Sequence, residues 1–231
     1  MLTLQHRSGA FLTAFTPEGS IEAQEYYPGE ALLALAEHYR LQPDGRILDA
    51  FDRAFSFYRQ YYEEHPSPAF VSWQAQAFAL MARLTKRTDF ARYVFALTDD
   101  LAEKQLTPGN CRWPELWGGV AAYAEGRAGV ATAAYLEAFA DALELARFLN
   151  DAERVERYEE VVRRAARFVM QLQVRPEEAY FIRSPQDAVG GIRTSLTLNL
   201  LRIDHCQHAL VGLLKARRAL FPDIPTAARA R

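Results

Sequence analysis

The chain has 231 residues, 50% of them apolar, which is enough for a substantial core and favours a single globular domain. The 27 basic and 29 acidic side chains nearly cancel and form no block of like charge, which argues against electrostatic binding of nucleic acid or an anionic membrane. No apolar run approaches the roughly 20 residues that span a bilayer, and His6 and Arg7 lie where a signal peptide would have its apolar core. The 2 cysteines are too few for a disulfide framework and suit a reducing compartment. We therefore expect a soluble cytoplasmic protein.

The first 24 residues predict an extended arm or a short β-hairpin. Apolar residues alternate loosely there, and Gly9 and the stretch Pro17-Glu18-Gly19 provide turn signals. From residue 25 to about residue 220, apolar positions recur instead at intervals of three and four, which is typical of helices. Residues 221–231, interrupted by Pro222 and Pro225, are expected to form a tail.

A repeated unit of two helices joined by a short polar turn organises most of the chain. The turns fall at residues 43–45, 87–89 and 150–151, which predicts three αα-hairpins. A further helix from about His205 to Leu220 repeats only the first half of the unit, so the fourth hairpin is incomplete. The predicted fold is therefore all-α, with about three and a half hairpins in one domain.

Two long segments separate the later helices. Residues 107–129 are rich in Gly, Pro and Trp, and residues 174–203 contain a stretch at 178–182 that we expect to be extended. Loops of this length within a compact repeat usually cover a functional face.

Polar and aromatic side chains gather where the first helix of each unit begins. In an array of hairpins these starts emerge at one end, and aromatic platforms with amide and carboxylate groups are what a sugar ring requires. Capping and core packing are the alternative for any single residue, but the recurrence at four starts favours a carbohydrate-binding rim. The candidate substrate-binding residues in and between these units are Trp73, Gln74, Gln76, Trp113, Tyr135 and Glu137.

The last helix begins with Asp204, His205 and His208. The two histidines share a helix face, and Asp204 lies one turn before His208. An imidazole held by a carboxylate is a usable general base near neutral pH, although a structural hydrogen bond is the commoner role of a histidine. Arg193 and Arg202 are candidates for binding a substrate carboxylate, or alternatively for pairing with Asp204 or a helix end.

The sequence indicates no metal site and no cofactor. Cys206 lies between His205 and His208 and so faces elsewhere on the helix, while Cys111 lies in a distant loop, so these residues do not form a zinc signature. The sequence contains no Gly-rich phosphate loop, GxSxG elbow or HExxH motif, which argues against phosphoryl transfer and serine hydrolase chemistry.

The stretches YYPGEALLAL and GGIRTSL, followed by RIDHCQHALVGLL, resemble the α/α-toroid superfamily of six-hairpin glycosidases and sugar epimerases. Within it, the chain is most similar to the α-helical C-terminal domain of D-glucuronyl C5-epimerases, over residues 20–220 at the level of organisation. The resemblance implies an incomplete α/α toroid. It also implies proton exchange at C5 of a uronic acid, for which Tyr26, Tyr27 and Glu30 are the nearest candidates. Because such exchange needs a base on one ring face and an acid on the other, we expect Tyr26 or Glu30 and His205 or His208 to flank the sugar.

Two functions of different class follow. The first is a carbohydrate-active enzyme, either a uronate epimerase or a glycosidase-like relative, that uses general acid–base chemistry on a saccharide or a uronic-acid-containing glycan. Hydrolysis would need two carboxylates, for which Glu30, Glu137 and Asp204 are available. The second is a non-catalytic module that binds glycan or protein in a larger assembly, with a second copy or a partner domain covering the incomplete hairpin.

Overall fold

A computed structural model describes residues 1–14, 20–121 and 127–222 of the chain. The turn predicted at Pro17-Glu18-Gly19 and most of the predicted tail lie outside these ranges. The chain divides into two compact units, residues 1–100 and residues 101–231. Helices make up most of both, as the all-α prediction requires.

Four helices begin in the described part of the first unit. Pro28 and Pro68 occupy first-turn positions, where the missing amide hydrogen is not needed by the helix. Asp44 caps the second helix, because its carboxylate accepts a hydrogen bond from the backbone N of Arg46 at 2.9 Å. The turns predicted at residues 43–45 and 87–89 fall where consecutive helices meet. The helices are α1 (Tyr27–Leu41), α2 (Gly45–Glu64), α3 (Pro68–Thr85) and α4 (Thr88–Glu103).

Aromatic rings fill the interior of the first unit. Phe78 of α3 lies at the centre, with ring centroids 5.2 Å from Phe51 and 6.1 Å from Phe55, both on α2. Phe90 and Tyr93 of α4 each lie 5.1 Å from Phe78, nearly perpendicular to it. Such edge-to-face contacts between buried rings stabilise a core beyond their area alone.

The N-terminal segment is held against α2 by buried hydrogen bonds. Its described residues form a 3-10 helix at Leu2–Leu4 and an antiparallel bridge between Gln5 and Phe11. The Tyr58 hydroxyl accepts from the Phe11 backbone N at 2.9 Å and donates to Gln24 Oε1 at 2.6 Å. Gln24 Nε2 in turn donates to the Phe11 carbonyl at 3.0 Å, which closes a three-membered network.

The second unit is built around helix α5 (Ala131–Phe148), which is buried along most of its length. It packs against both α6 (Ala152–Gln171) and the last helix. The second unit also contains a short helix α7 (Pro185–Ala188), the antiparallel strands β1 (Arg193–Ser195) and β2 (Leu198–Leu201), and helix α8 (Ile203–Leu220).

The prediction of an extended segment at residues 178–182 was wrong. A 3-10 helix occupies Pro176–Glu178, and residues 179–182 form turns. The hydrogen bond from Arg175 to the Glu178 carboxylate stabilises this turn and lowers the pKa of that carboxyl. The strands lie further on, where Ser195 Oγ accepts from the backbone N of Leu198 and fixes the tight turn between them.

A loop that precedes α5 is pinned to α6. Gln105 Nε2 donates to the Val161 carbonyl at 3.0 Å, and the backbone of Gly118 lies directly against the carbonyl of Arg164. Gly118 has φ of +94°, a conformation that L side chains rarely adopt.

Helix α8 approaches α5 closely through a stripe of small residues. Ala209, Gly212, Ala216 and Ala219 are all buried and recur at intervals of three and four. A Cβ atom at Gly212 would lie 2.7 Å from the carbonyl oxygen of Ala133, so only glycine fits there. Among the described helices, none is long and apolar enough to cross a membrane.

Candidate functional site

Three acidic side chains of α5 face three basic side chains of α8. The acids recur at intervals of four and three residues, which places them on one helix face. The residue numbers of the paired side chains increase in the same direction along both helices, so α5 and α8 run parallel. The pairs are Glu137 Oε1 with His208 Nδ1 at 2.8 Å, Asp141 Oδ2 with Lys215 Nζ at 2.8 Å, and Glu144 Oε1 with Arg218 Nε at 2.6 Å.

The pair of Glu137 and His208 differs from the other two because its basic partner is an imidazole, which has one ring nitrogen that can donate and one that can accept a proton. The Glu137 side chain is 7% exposed and that of His208 is 19% exposed. A carboxylate oxygen can only accept, so His208 Nδ1 carries the proton of their hydrogen bond. Nε2 is then the ring nitrogen that accepts a proton in the neutral imidazole, which is the arrangement of an oriented general base.

Asp204 is held by Arg202, which is the alternative role that the sequence left open for this arginine. We expected Asp204 to orient His208 from one turn away, whereas in the structure Glu137 takes that role. Arg202 forms two hydrogen bonds to Asp204, at 2.9 and 3.0 Å, and these lower the pKa of the Asp204 carboxyl. The Arg202 side chain remains 60% exposed.

Arg193 caps a helix end, which is one of the three roles that the sequence left open for it. Its Nη2 donates to the carbonyl of Gln171 at 3.0 Å, at the C-terminus of α6, and lies 3.4 Å from Glu178 Oε2. The Arg193 side chain is only 11% exposed. Arg202 is therefore the more accessible of the two guanidinium groups that the sequence singled out.

His205 and Tyr135 are interior residues of the second unit. His205 is 7% exposed and lies on the small-residue face of α8, while Tyr135 of α5 is 4% exposed. Within the described residues, His205 Nδ1 is buried without a hydrogen-bond partner. Trp113 lies instead in the loop pinned to α6, half exposed, with the Arg112 guanidinium 4.6 Å from its ring centroid.

The first unit brings four of the predicted rim residues together. The rings of Tyr26 and Trp73 meet edge to face, with centroids 5.9 Å apart, and Tyr26 is 51% exposed. Gly29 allows this approach, because a Cβ atom there would lie 2.7 Å from Trp73 Cβ. Burial, and secondarily the charge of the exposed Glu30, raises the pKa of the Tyr27 hydroxyl.

No family model, curated protein or solved structure matches this chain. Among the described residues, no group of three or more His, Cys, Asp or Glu side chains is placed to hold a metal ion together.

Gln74 and Gln76 are buried on α3 rather than displayed at its start. Gln74 is 1% exposed, one turn from both Phe70 and Phe78, so it lies on the aromatic face of the helix. Neither of its amide atoms has a hydrogen bond within the described ranges. Gln76 is 2% exposed, and its Nε2 donates to Ser72 Oγ at 3.5 Å.

Replacing Gln74 with methionine is expected to raise the free energy of unfolding by about 1–2 kcal/mol, because a buried amide without partners destabilises the fold by about that amount. Methionine has a similar volume and adapts to irregular space. Urea denaturation measures the change. Gln76→Met, which removes a hydrogen-bonded amide from the same helix, is expected to lower stability. A Gln74→Met protein less stable than the wild type would contradict the expectation.

Sequence reasoning singled out Glu137 and His208 separately but missed that they form a pair, and it missed Asp141 and Lys215 altogether. The signal was present in the spacing: acids at 137, 141 and 144 and bases at 208, 215 and 218 each occupy one face of a helix. What the spacing alone leaves undetermined is which two helices pack together.

Proposed function

We propose that this chain is a carbohydrate-active protein of the α/α-toroid type, in which Glu137 and His208 perform general acid–base chemistry on a uronic-acid-containing glycan. The observation that carries the proposal is the buried carboxylate fixed 2.8 Å from an imidazole nitrogen near the start of two parallel helices. Burial strengthens this contact because it reduces screening by water.

The chemistry that this pair supports is exchange of the proton at C5 of a uronate, next to its carboxylate. His208 Nε2 takes the C5 proton, and the electron pair of the broken bond moves into the enolate of the carboxyl group. Glu137 stabilises the imidazolium that results, so it is a positioning residue. Reprotonation of C5 by water on the opposite face gives the epimer, and the imidazolium then returns its proton to the hydroxide that forms. Return of the proton from His208 to the original face regenerates the substrate.

Arg202 is the group we assign to the substrate carboxylate. It lies six residues before His208, about 9 Å along the helix axis, and its side chain is 60% exposed. Its Nε and Nη2 already donate to Asp204, so the Nη1–Nη2 edge is the part of the guanidinium that would bind the substrate carboxylate and stabilise the charge of the developing enolate.

The test is incubation in D2O with a panel of uronate-containing and neutral oligosaccharides, with loss of the H5 proton signal followed by NMR. We expect exchange on one uronate class and a loss of about 100-fold or more in His208→Gln. Glu137→Gln keeps the hydrogen-bond acceptor and removes the charge, so the pH at which exchange is half-maximal should fall.

Glu144→Gln is the matched control, because it removes a carboxylate from the same face of α5 beyond the proposed base. It is expected to exchange H5 at the wild-type rate. Folded wild-type protein that exchanges no member of the panel, or His208→Gln protein that is fully active, would remove the catalytic proposal.

The second candidate function is a non-catalytic glycan-binding module, and the half-exposed Tyr26 beside Trp73 favours it. Sugar rings stack on exposed aromatic faces without any need for acid–base groups. Calorimetric titration with the same panel distinguishes the two functions, since binding of a glycan without exchange at any position supports the module.

A further inference from the structure

Helix α8 has a second apolar stripe on the side away from α5. Its apolar members are Ile203, Leu210 and Leu214, which are 89%, 61% and 52% exposed, and Phe221, the residue that follows the last turn of the helix, which is 48% exposed. Gln207 and Arg217 are also exposed and complete the stripe. The six positions recur at alternating intervals of four and three residues, which is the spacing of a helix seam that packs against another helix.

The order of apolar and polar positions along the exposed stripe is symmetric about its centre. The centre of symmetry is residue 212. Ile203 and Phe221 are equally far from it along the sequence, as are Gln207 and Arg217, and also Leu210 and Leu214. A two-fold axis at this level brings an antiparallel second α8 into register, with apolar opposite apolar and polar opposite polar. Self-complementarity of this kind is the requirement of a symmetric dimer interface.

The charges on α8 favour an antiparallel partner over a parallel one. Asp204 lies in the first turn of the helix, and Arg217 and Arg218 lie in the last turn. An antiparallel copy places each Arg217 beside Gln207 and within a turn of Asp204 on the other helix. A parallel copy would instead place the two Arg217 guanidinium groups against each other, and the two helix dipoles would also repel.

We propose that α8 forms the interface of a two-fold homodimer, in which the exposed stripes of two antiparallel α8 helices pack together. Leu198 and Leu200 of β2, shortly before α8 in the chain, are also exposed. This proposal concerns assembly and does not depend on the proposed function. It assigns a second copy of the chain to a surface that is unusually apolar for a solvated helix face.

The first test is sedimentation velocity of the full chain across the micromolar range. We expect a dimer, and we expect Leu210→Lys combined with Leu214→Lys to raise the dissociation constant by about 100-fold or more, because the four ammonium groups would meet at the axis. Tyr180→Lys with Phe181→Lys, which changes two exposed aromatic residues outside the stripe, should leave the dimer intact. Far-UV circular dichroism confirms that each variant is folded.

The second test determines the direction of the helices by oxidative cross-linking in a Cys111→Ser, Cys206→Ser background. Ile203→Cys combined with Phe221→Cys should form a covalent dimer, because these positions face each other across the axis. Ile203→Cys alone should not, since the two copies of this position lie about 27 Å apart along antiparallel helices.

Three results would overturn the proposal. They are a monomer at every concentration, a dimer that survives both lysine substitutions, and efficient cross-linking by Ile203→Cys alone. The last would indicate a parallel arrangement.

Discussion

Replacing Gly118 with alanine is expected to lower the free energy of unfolding by more than about 3 kcal/mol, the largest effect we expect from a single added methyl group. Gly118 has φ of +94°, and a Cβ atom built there lies 1.9 Å from the carbonyl oxygen of Arg164. That carbonyl belongs to helix α6 and cannot retreat without breaking the helix, so the loop must leave its position.

Gly190→Ala is the matched control. Gly190 has a similar φ of +88°, but a Cβ atom there would meet nothing within 4 Å. Alanine at this position incurs only the backbone strain, about 1–2 kcal/mol. Urea denaturation of the two variants separates the steric effect from the conformational one, and equal losses would show that the contact between the loop and α6 contributes nothing.

Tyr58→Phe is expected to destabilise the protein by about 2–4 kcal/mol, although it removes one oxygen atom and changes no packing. The Tyr58 hydroxyl accepts from the backbone N of Phe11 and donates to Gln24 Oε1. Tyr58, Phe11 and Gln24 are each at most 1% exposed. Without the hydroxyl, a buried amide hydrogen and a buried carbonyl oxygen both lose their partner.

Tyr61→Phe provides the comparison on the same helix. Tyr61 packs against the Phe57 ring at 6.0 Å, and its hydroxyl has no hydrogen bond within the described residues. Its substitution is expected to change stability by less than about 0.5 kcal/mol. Chemical denaturation at pH 7 measures both variants, and a Tyr58→Phe protein as stable as Tyr61→Phe would show that the N-terminal segment is held by packing alone.

The helices were predictable from the sequence because their signals are local. Pro28 and Pro68 begin helices, the turns at residues 43–45 and 87–89 interrupt an otherwise continuous periodicity, and Asp44 is a strong cap. The region at 176–201 was harder to predict, because a 3-10 turn stabilised by Arg175 and Glu178 competes with local strand propensity. Its strands are three and four residues long, too short for a clear alternation.

The candidate site was only partly predictable. His208 was identified from its neighbours on the helix, but its partner Glu137 lies 71 residues earlier in the chain. Asp204 was the local alternative, and Arg202, only two residues away, holds it instead. The burial of Gln74 was not foreseen, because a helix that packs on more than one side loses the contrast between polar and apolar faces.

The parallel packing of α5 and α8 also determines the order in which the second unit can form. The three residues of α8 that neutralise the acids of α5 are made 71 to 74 residues after their partners. During synthesis α5 and α6 emerge first, with one apolar face of α5 and its row of carboxylates still in water. This unit is therefore completed only after α8 has been made, and until α8 leaves the ribosome the nascent chain presents a surface suited to chaperone binding.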